Sequence, residues 1–453
     1  MWVYCASAAE VPFYSPNDLV SLHPIKPPDV SLYVVRPHFD FCQQFLPLSL
    51  ERKRDRHDCS YSRNGRATAR LCLKVPRETR LVILAPGQNH LLLQRAEKLA
   101  ALAREAAGRA DEAGAMEQAV LTALRESDLP IAMFTPAFGG VGLGDFDQQP
   151  TLCTILRIIG AVDLSLARLF EGHANAVMLV SRYGTEAQIA SFADDVRRGA
   201  LSGVWGAEDA AGLRRLRRGD HWVLDGGKIL ASGVGFIERP LITVGSEEGQ
   251  LLYLLTLKPG ERSDTTSWVP LGMKATASGR VNLTGIIVDR AHQIGCPGDF
   301  MRQPFFSAGA WRFCAAQLGA IERLTALYAE QLRARGRDDD PYQLERVAQC
   351  AAACGTALFW IEEAARRFGD ESLEPCAVVA FVNLTRMVTE RAAFDVLERV
   401  QRGIGLAALM RTNPIERIVR DLCTYLRQPV PDLAMSDAAR AILAGDLSLG
   451  SLR

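Results

Sequence analysis

The chain carries no excess of either charge. Lys plus Arg and Asp plus Glu each number 52 among 453 residues, so the formal net charge is zero. A neutral chain has no global attraction for nucleic acid or an anionic membrane surface, and neither is expected as a partner. No apolar run approaches the ~20 residues that a membrane helix needs. The opening stretch Met1–Tyr14 lacks a basic segment followed by a long apolar one, so no secretory signal is expected. The 11 cysteines form no CxxC pair. Cys350 and Cys354 would share a helix face, but no histidine lies near them in sequence. Packing in a core is therefore the expectation for them, and no metal site is expected. Free thiols and the missing leader point to a cytoplasmic protein.

What is present falls into blocks. Residues 1–88 hold many prolines and the basic run Glu51–Asp58, with little sustained periodicity. Such a segment buries too little apolar surface to offset the entropy of ordering it, so a poorly ordered extension is expected. From His90, apolar residues recur at helical spacing with charges between them, until Leu129-Pro130. Thr135–Asp145 is a Gly-rich turn, followed by helical stretches at about 150–161 and 164–183. From about Leu201, short apolar or alternating runs separated by Gly, Asp and Ser predict strands. After Pro304, long amphipathic helices return until about Ala444. Segregated blocks argue an α+β fold, with a helical domain at 89–200, a β-domain at 201–303 and a helical bundle at 304–453. The wide apolar face of the helix Phe381–Leu397 is more than one helical layer can bury, which predicts self-association.

Several motifs stand in an order of their own. They are Pro136-Ala-Phe-Gly-Gly-Val-Gly142, then Ser165, His173 and Tyr183-Gly184, then Ala207-Glu-Asp-Ala-Ala-Gly212. Asp225-Gly-Gly-Lys228 with Ala231-Ser232, Gly272-Met-Lys-Ala-Thr-Ala-Ser278, and Asn413-Pro-Ile-Glu-Arg417 with Arg420-Asp421 complete the series. In sequence and position this set resembles the acyl-CoA dehydrogenase family over residues 90–430. The resemblance implies a helical N-terminal domain, a middle β-domain, a C-terminal four-helix bundle and bound FAD, with bundles pairing across subunits in a homodimer or homotetramer. It assigns flavin contacts to Ala207, Ser232, Gly403 and Gly405, with Arg333 or Arg335 at the phosphates. Gly-rich turns can bring backbone N–H groups close to a phosphate or flavin, or only shape a tight loop; both readings stay open here. His173 lies in an apolar stretch, which favours a hydrogen-bonded core histidine over a catalytic one.

The chain also departs from that family. Eight residues after Asp421, where the dehydrogenases commonly place their catalytic Glu, stands Pro429. The alternative location on an earlier helix reads Ala308-Gly-Ala-Trp-Arg-Phe313 and holds no carboxylate; Glu322, further along, is the nearest candidate base. Leu230 replaces a Trp, Ala207 a Thr, and Leu332 an Arg that would reach a neighbouring subunit's FAD. Arg402 stands where a Gln belongs.

Three functions follow. The first is an FAD-dependent oxidoreductase acting on the CH–CH group of an acyl thioester, its substrate an acyl-CoA or another small molecule. The second is a flavin monooxygenase of the same fold, which needs no base at position 429. The third is a non-catalytic paralogue that keeps the bundle for binding or assembly.

Overall fold

The computed structural model describes residues 86–448 and 450. The expected extension, residues 1–88, lies outside these apart from its last three residues, which open the first helix. Helix α1 (Pro86–Ala113) buries Leu92, Ala96, Leu99, Ala103, Ala106 and Ala110, a stripe at the three- and four-residue spacing of one helix face. Helices α2 (Gln118–Glu126) and α3 (Leu129–Ala132) lead into the Gly-rich turn. Helix α4 (Gln149–Gly160) and α5 (Leu164–Tyr183) follow, then α6 (Glu186–Arg197). Asp163 caps α5 by accepting from the Leu166 amide at 3.0 Å, and Thr185 with Gln188 forms a capping box on α6.

The middle region forms two sheets. One runs β1 (Val204–Trp205), β4 (Leu241–Val244), β5 (Leu251–Leu254) and β9 (Gln293–Ile294), with β1 and β4 parallel. The other runs β2 (Leu213–Arg218), β3 (His221–Ala231), β7 (Gly279–Asn282) and β6 (Ser263–Asp264), with β8 (Ile287–Val288) also paired to β3. The β3–β7 register shifts between Lys228 and Ala231, which bends the strand end where Leu230 takes a left-handed φ of +52°.

Five helices close the chain: α7 (Trp311–Ala334), α8 (Pro341–Phe368), α9 (Pro375–Ile404), α10 (Pro414–Tyr425) and α11 (Pro431–Ala444). The expected α+β order of helices, strands and a helical C-terminal region is the order observed. Helices α4 and α7 cross at a pair of glycines. A Cβ on Gly160 would fall 2.1 Å from the Ala316 carbonyl oxygen, and one on Gly319 would fall 2.1 Å from that of Arg157. Only hydrogen at both positions allows this approach, which joins the first helices to the last ones.

One expectation about packing needs correction. The apolar face of α9 does not await a second copy. Phe381, Val382, Ala393, Val396 and Leu397 are all buried within the chain, and Phe381 stacks on Trp360 with ring centroids 4.8 Å apart. Helices α7, α8 and α11 all pack on α9 and cover it. Phe394 of α9 stays 43% exposed, and Phe359 on α8 is 72% exposed.

The closing Arg420-Asp421 pair is a structural clamp. Arg420 is buried and donates to Asp111 of α1 at 2.6 and 3.0 Å, to Glu416 at 2.6 and 3.0 Å, and to the Leu271 carbonyl at 2.9 Å. Asp421 accepts the Met273 amide at 2.6 Å and pairs with Arg417 at 2.9 Å. A Cβ on Gly272 would sit 2.2 Å from the Arg420 backbone, so the loop and α10 touch main chain to main chain. Removing one partner of a buried ion network strands the others. Arg420→Ala should therefore cost about 3–5 kcal/mol of stability, read as a lowered urea midpoint with an unchanged slope.

Candidate functional site

The Gly-rich turn meets α5, the 300–313 segment and the start of α9 around a cavity of about 1810 Å³. That is roughly twice the upper end of an ordinary small-molecule cleft, enough for a planar cofactor and a substrate together. The turn itself is closed. The amides of Gly139, Gly140, Gly142 and Gly144 donate to the carbonyls of Pro136, Thr135, Phe134 and Met133. None is left to hold a phosphate, so of the two readings the tight loop is correct. Its last residue, Asp145, lines the cavity, and burial together with neighbouring Asp147 raises its carboxyl to about 6.

Helix α5 supplies the polar wall. Glu171 is buried and accepts from Arg168 and from the Asn175 amide, the latter at 2.5 Å. From the first turn of α7, Arg312 reaches the same place and donates from Nε to Asn175 Oδ1 at 2.6 Å. Aromatic side chains cluster on one part of the lining. Phe146, Phe305 and Phe368 form a trio with centroids 6.0–6.3 Å apart.

Pro429 also lines this cavity, and its carbonyl accepts from Arg386 at 2.7 Å. The position that the dehydrogenase pattern reserves for a base thus faces the cavity with no acid to offer. Glu322 does not replace it. Its carboxylate is held by Arg157 at 2.7 Å between α7 and α4, away from the cavity lining. His173 is fully buried between α3 and β1. Its Nδ1 accepts from the Ser202 amide at 3.1 Å and its Nε2 faces the Pro130 carbonyl at 3.2 Å, which fixes a neutral ring. Burial pulls it down to about 4.

The residues assigned to a flavin form two groups. Ala207 and Ser232 lie side by side: the Ala207 carbonyl accepts from Ile229, and Trp205 donates to the Ser232 carbonyl at 3.0 Å. The Ser232 hydroxyl accepts from Ser278, while Leu230 projects 61% exposed from the bent strand end. Beneath them Lys228 is buried against Glu208, Thr243 and the Gly206 carbonyl. Val204 of β1 reaches the cavity wall, so this platform adjoins the cavity. Two small side chains, a hydroxyl and an exposed apolar side chain on a fixed support fit the face and edge of a flavin ring. The second group is at the far ends of α7 and α9. Arg335 donates to the Ile404 carbonyl at 3.4 Å, between Gly403 and Gly405, and to Gln331 at 3.3 Å. Gly403 is needed there because a Cβ would fall 2.1 Å from the Tyr328 hydroxyl. Arg333 points to solvent, and Leu332 beside it is buried.

Sequence reasoning missed Arg312, Glu171, Asn175 and Asp145. The one signal for the first three was polar residues interrupting apolar helix faces, which is weak without knowing which face lines a cavity.

Helical, sheet and helical regions in this order frame a cavity beside a small-residue platform, and the family matched over both helical regions is one of flavoprotein enzymes, oxidoreductases or monooxygenases. Residues 88–200 match the acyl-CoA dehydrogenase N-terminal domain, and residues 311–427 match the acyl-CoA dehydrogenase C-terminal domain. The chain belongs to the acyl-CoA dehydrogenase family, and its cofactor is a flavin. It is 22% identical over 334 residues to the mitochondrial isobutyryl-CoA dehydrogenase of Dictyostelium discoideum, covering 68% of this chain and 77% of that one. It is 24% identical over 369 residues to the probable FMNH2-dependent monooxygenase SfnC of Pseudomonas putida, covering 73% and 91%. Among solved structures, FMN-bound TdsC from Paenibacillus sp. A11-2 superposes with a TM-score of 0.71 at 22% identity, covering 79% of this chain and 98% of that one.

The buried neutral His173 makes a pH prediction. Its folded pKa of about 4 lies below the ordinary 6.5, so its contribution is complete above 6.5 and lost as pH falls toward 4. The full loss is about 3 kcal/mol. Asp145 and Asp421, both raised to about 6 by burial, act in the opposite sense. The effect should therefore appear as a difference: between pH 7 and pH 4.5, wild type loses more stability than His173→Asn in parallel urea titrations.

Proposed function

We propose that this chain is a monooxygenase that works with reduced FMN on a small molecule held in the cavity between α5, α7 and α9. The observation that carries this reading is Pro429. It occupies the dehydrogenase base position on the cavity wall, while Glu322 is committed to Arg157 elsewhere. An acyl thioester gives up its α-proton only to a base within hydrogen-bond reach; oxygenation has no such need. The similarity to SfnC and TdsC agrees with it. When bound, the reduced flavin supplies the activation of O₂. The chain's own residues hold the ring on Ala207, Leu230 and Ser232 and enclose the substrate in an aromatic wall. FMN rather than FAD is favoured by the buried Leu332, which removes the guanidinium that would meet the second half of a dinucleotide in a neighbouring subunit. A homodimer or homotetramer built through the exposed face of α8 is part of this proposal, as Leu344 and Phe359 share a face of that helix and remain uncovered.

A second reading, oxidation of an acyl thioester, rests on Asp145, the cavity carboxyl whose affinity for a proton suits acid–base work near neutral pH. The two readings part under anaerobic mixing. Flavin-loaded protein given saturated acyl-CoAs of several lengths should not bleach. The chemically reduced form should react rapidly with O₂, and denatured protein should release more FMN than FAD. Rapid bleaching that Asp145→Asn abolishes would establish the dehydrogenase instead.

Asp145 also sets an expectation for the oxygenase. A group with a pKa of about 6 that moves a proton in turnover puts one limb of the rate profile near that pH. Asp145→Asn should remove that limb. A profile unchanged between pH 5 and 7 would take Asp145 out of the reaction.

A further inference from the structure

Five arginines line the cavity, and among the described residues Arg312 alone of the five has a buried guanidinium nitrogen without a hydrogen-bond partner. Arg302 pairs with Asp299 at 2.9 Å, Arg366 with Glu363 at 2.7 Å, and Arg182 lies 3.9 Å from Glu371. Arg386 is spent on the Pro429 carbonyl. Arg312 is 4% exposed, donates to the neutral amide of Asn175, and has an Nη1 with no hydrogen-bond partner among the described residues. The nearby carboxylate, Glu171, is already shared by Arg168 and Asn175. Two guanidinium groups therefore face one carboxylate in a buried place. Burial lowers Arg312 to about 10, so it stays charged at neutral pH. A buried, half-satisfied charge is costly unless something completes it. Its ring neighbours indicate what kind of molecule does so. The Arg312 guanidinium carbon lies 5.0 Å from the centroid of Phe368, a member of the aromatic trio with Phe146 and Phe305.

We propose that Arg312 is a substrate-binding residue that seats the acid group of an organic anion, a carboxylate or sulfinate carried on an apolar, ring-sized body. The body lies against Phe146, Phe305 and Phe368, and Asn175 holds the guanidinium plane toward it. Planar oxyacids suit a guanidinium because two parallel N–H groups meet two oxygens. Gly309 belongs to the same device: a Cβ there would fall 2.4 Å from Arg312 Nη2 and push the guanidinium aside. The inference rests on the reading of this cavity as the substrate chamber.

The test is calorimetric titration of FMN-supplemented protein with benzoate, 3-phenylpropanoate and benzenesulfinate, each against its neutral amide counterpart. At least one acid should bind in preference to its amide. Arg312→Gln should weaken that acid about 10- to 100-fold while leaving its amide and FMN as in wild type. Gly309→Ala keeps the charge and should weaken the same acid; it decides the matter if Arg312→Gln does not fold by circular dichroism. The proposal is overturned if no acid outbinds its amide, if both folded variants keep wild-type acid affinity, or if they lose FMN instead, which would make Arg312 a site for the cofactor's phosphate. Oxygen uptake is read separately. Acid binding without it would retain this site and remove the monooxygenase.

Discussion

One guanidinium holds the described structure in register. Arg420 joins Asp111 of α1, the loop carrying Leu271 and its own helix α10, three elements far apart in the chain. Because both carboxylates are buried with it, the network is worth keeping only when all its members meet, which makes the joint cooperative. The end of α10 is fixed in turn by Gln317 of α7, which donates to the Tyr425 carbonyl at 3.0 Å. The chain leaves that point as Gln428-Pro429 and must pass the cavity wall. The location of Pro429 is thus a consequence of the clamp.

The cavity is built on an imbalance of charge, not of shape alone. Most ion pairs among the described residues have at least one exposed partner and contribute little each. The group around Glu171 is different, since Arg168 and Arg312 approach the same buried carboxylate from α5 and α7. Replacing buried charges by apolar residues of similar volume is often neutral or stabilising. Retaining an under-paired cation beside three phenylalanines trades stability for a preference in what may enter, as functional sites commonly do.

Some motifs shared with the acyl-CoA dehydrogenases do scaffold work in this chain. Gly272-Met273 and Arg420-Asp421 lock to each other, and the glycines of Pro136–Gly142 bond to their own turn. Ala207 and Ser232 remain at the open platform.

The order of helical, strand and helical blocks was legible because hydrophobic period is a local property: apolar spacing changes near Leu201 and again after Pro304. The absence of a carboxylate at position 429 was equally plain once the resemblance to the acyl-CoA dehydrogenases implied a base there. His173 could be recognised as a core histidine from its apolar neighbours. Tertiary structure alone decided the rest. Glu322 became an ion-pair partner of Arg157 because the glycine crossing of α4 and α7 brings those helices together, and no local pattern announces a crossing. The face of α9 was covered from within by helices whose approach the sequence of α9 does not encode. Arg312, Glu171 and Asn175 lie up to 141 residues apart in the chain. Whether a polar residue on an apolar helix is a snorkelling side chain or the wall of a cavity depends on what packs opposite it, and that is set by the whole fold.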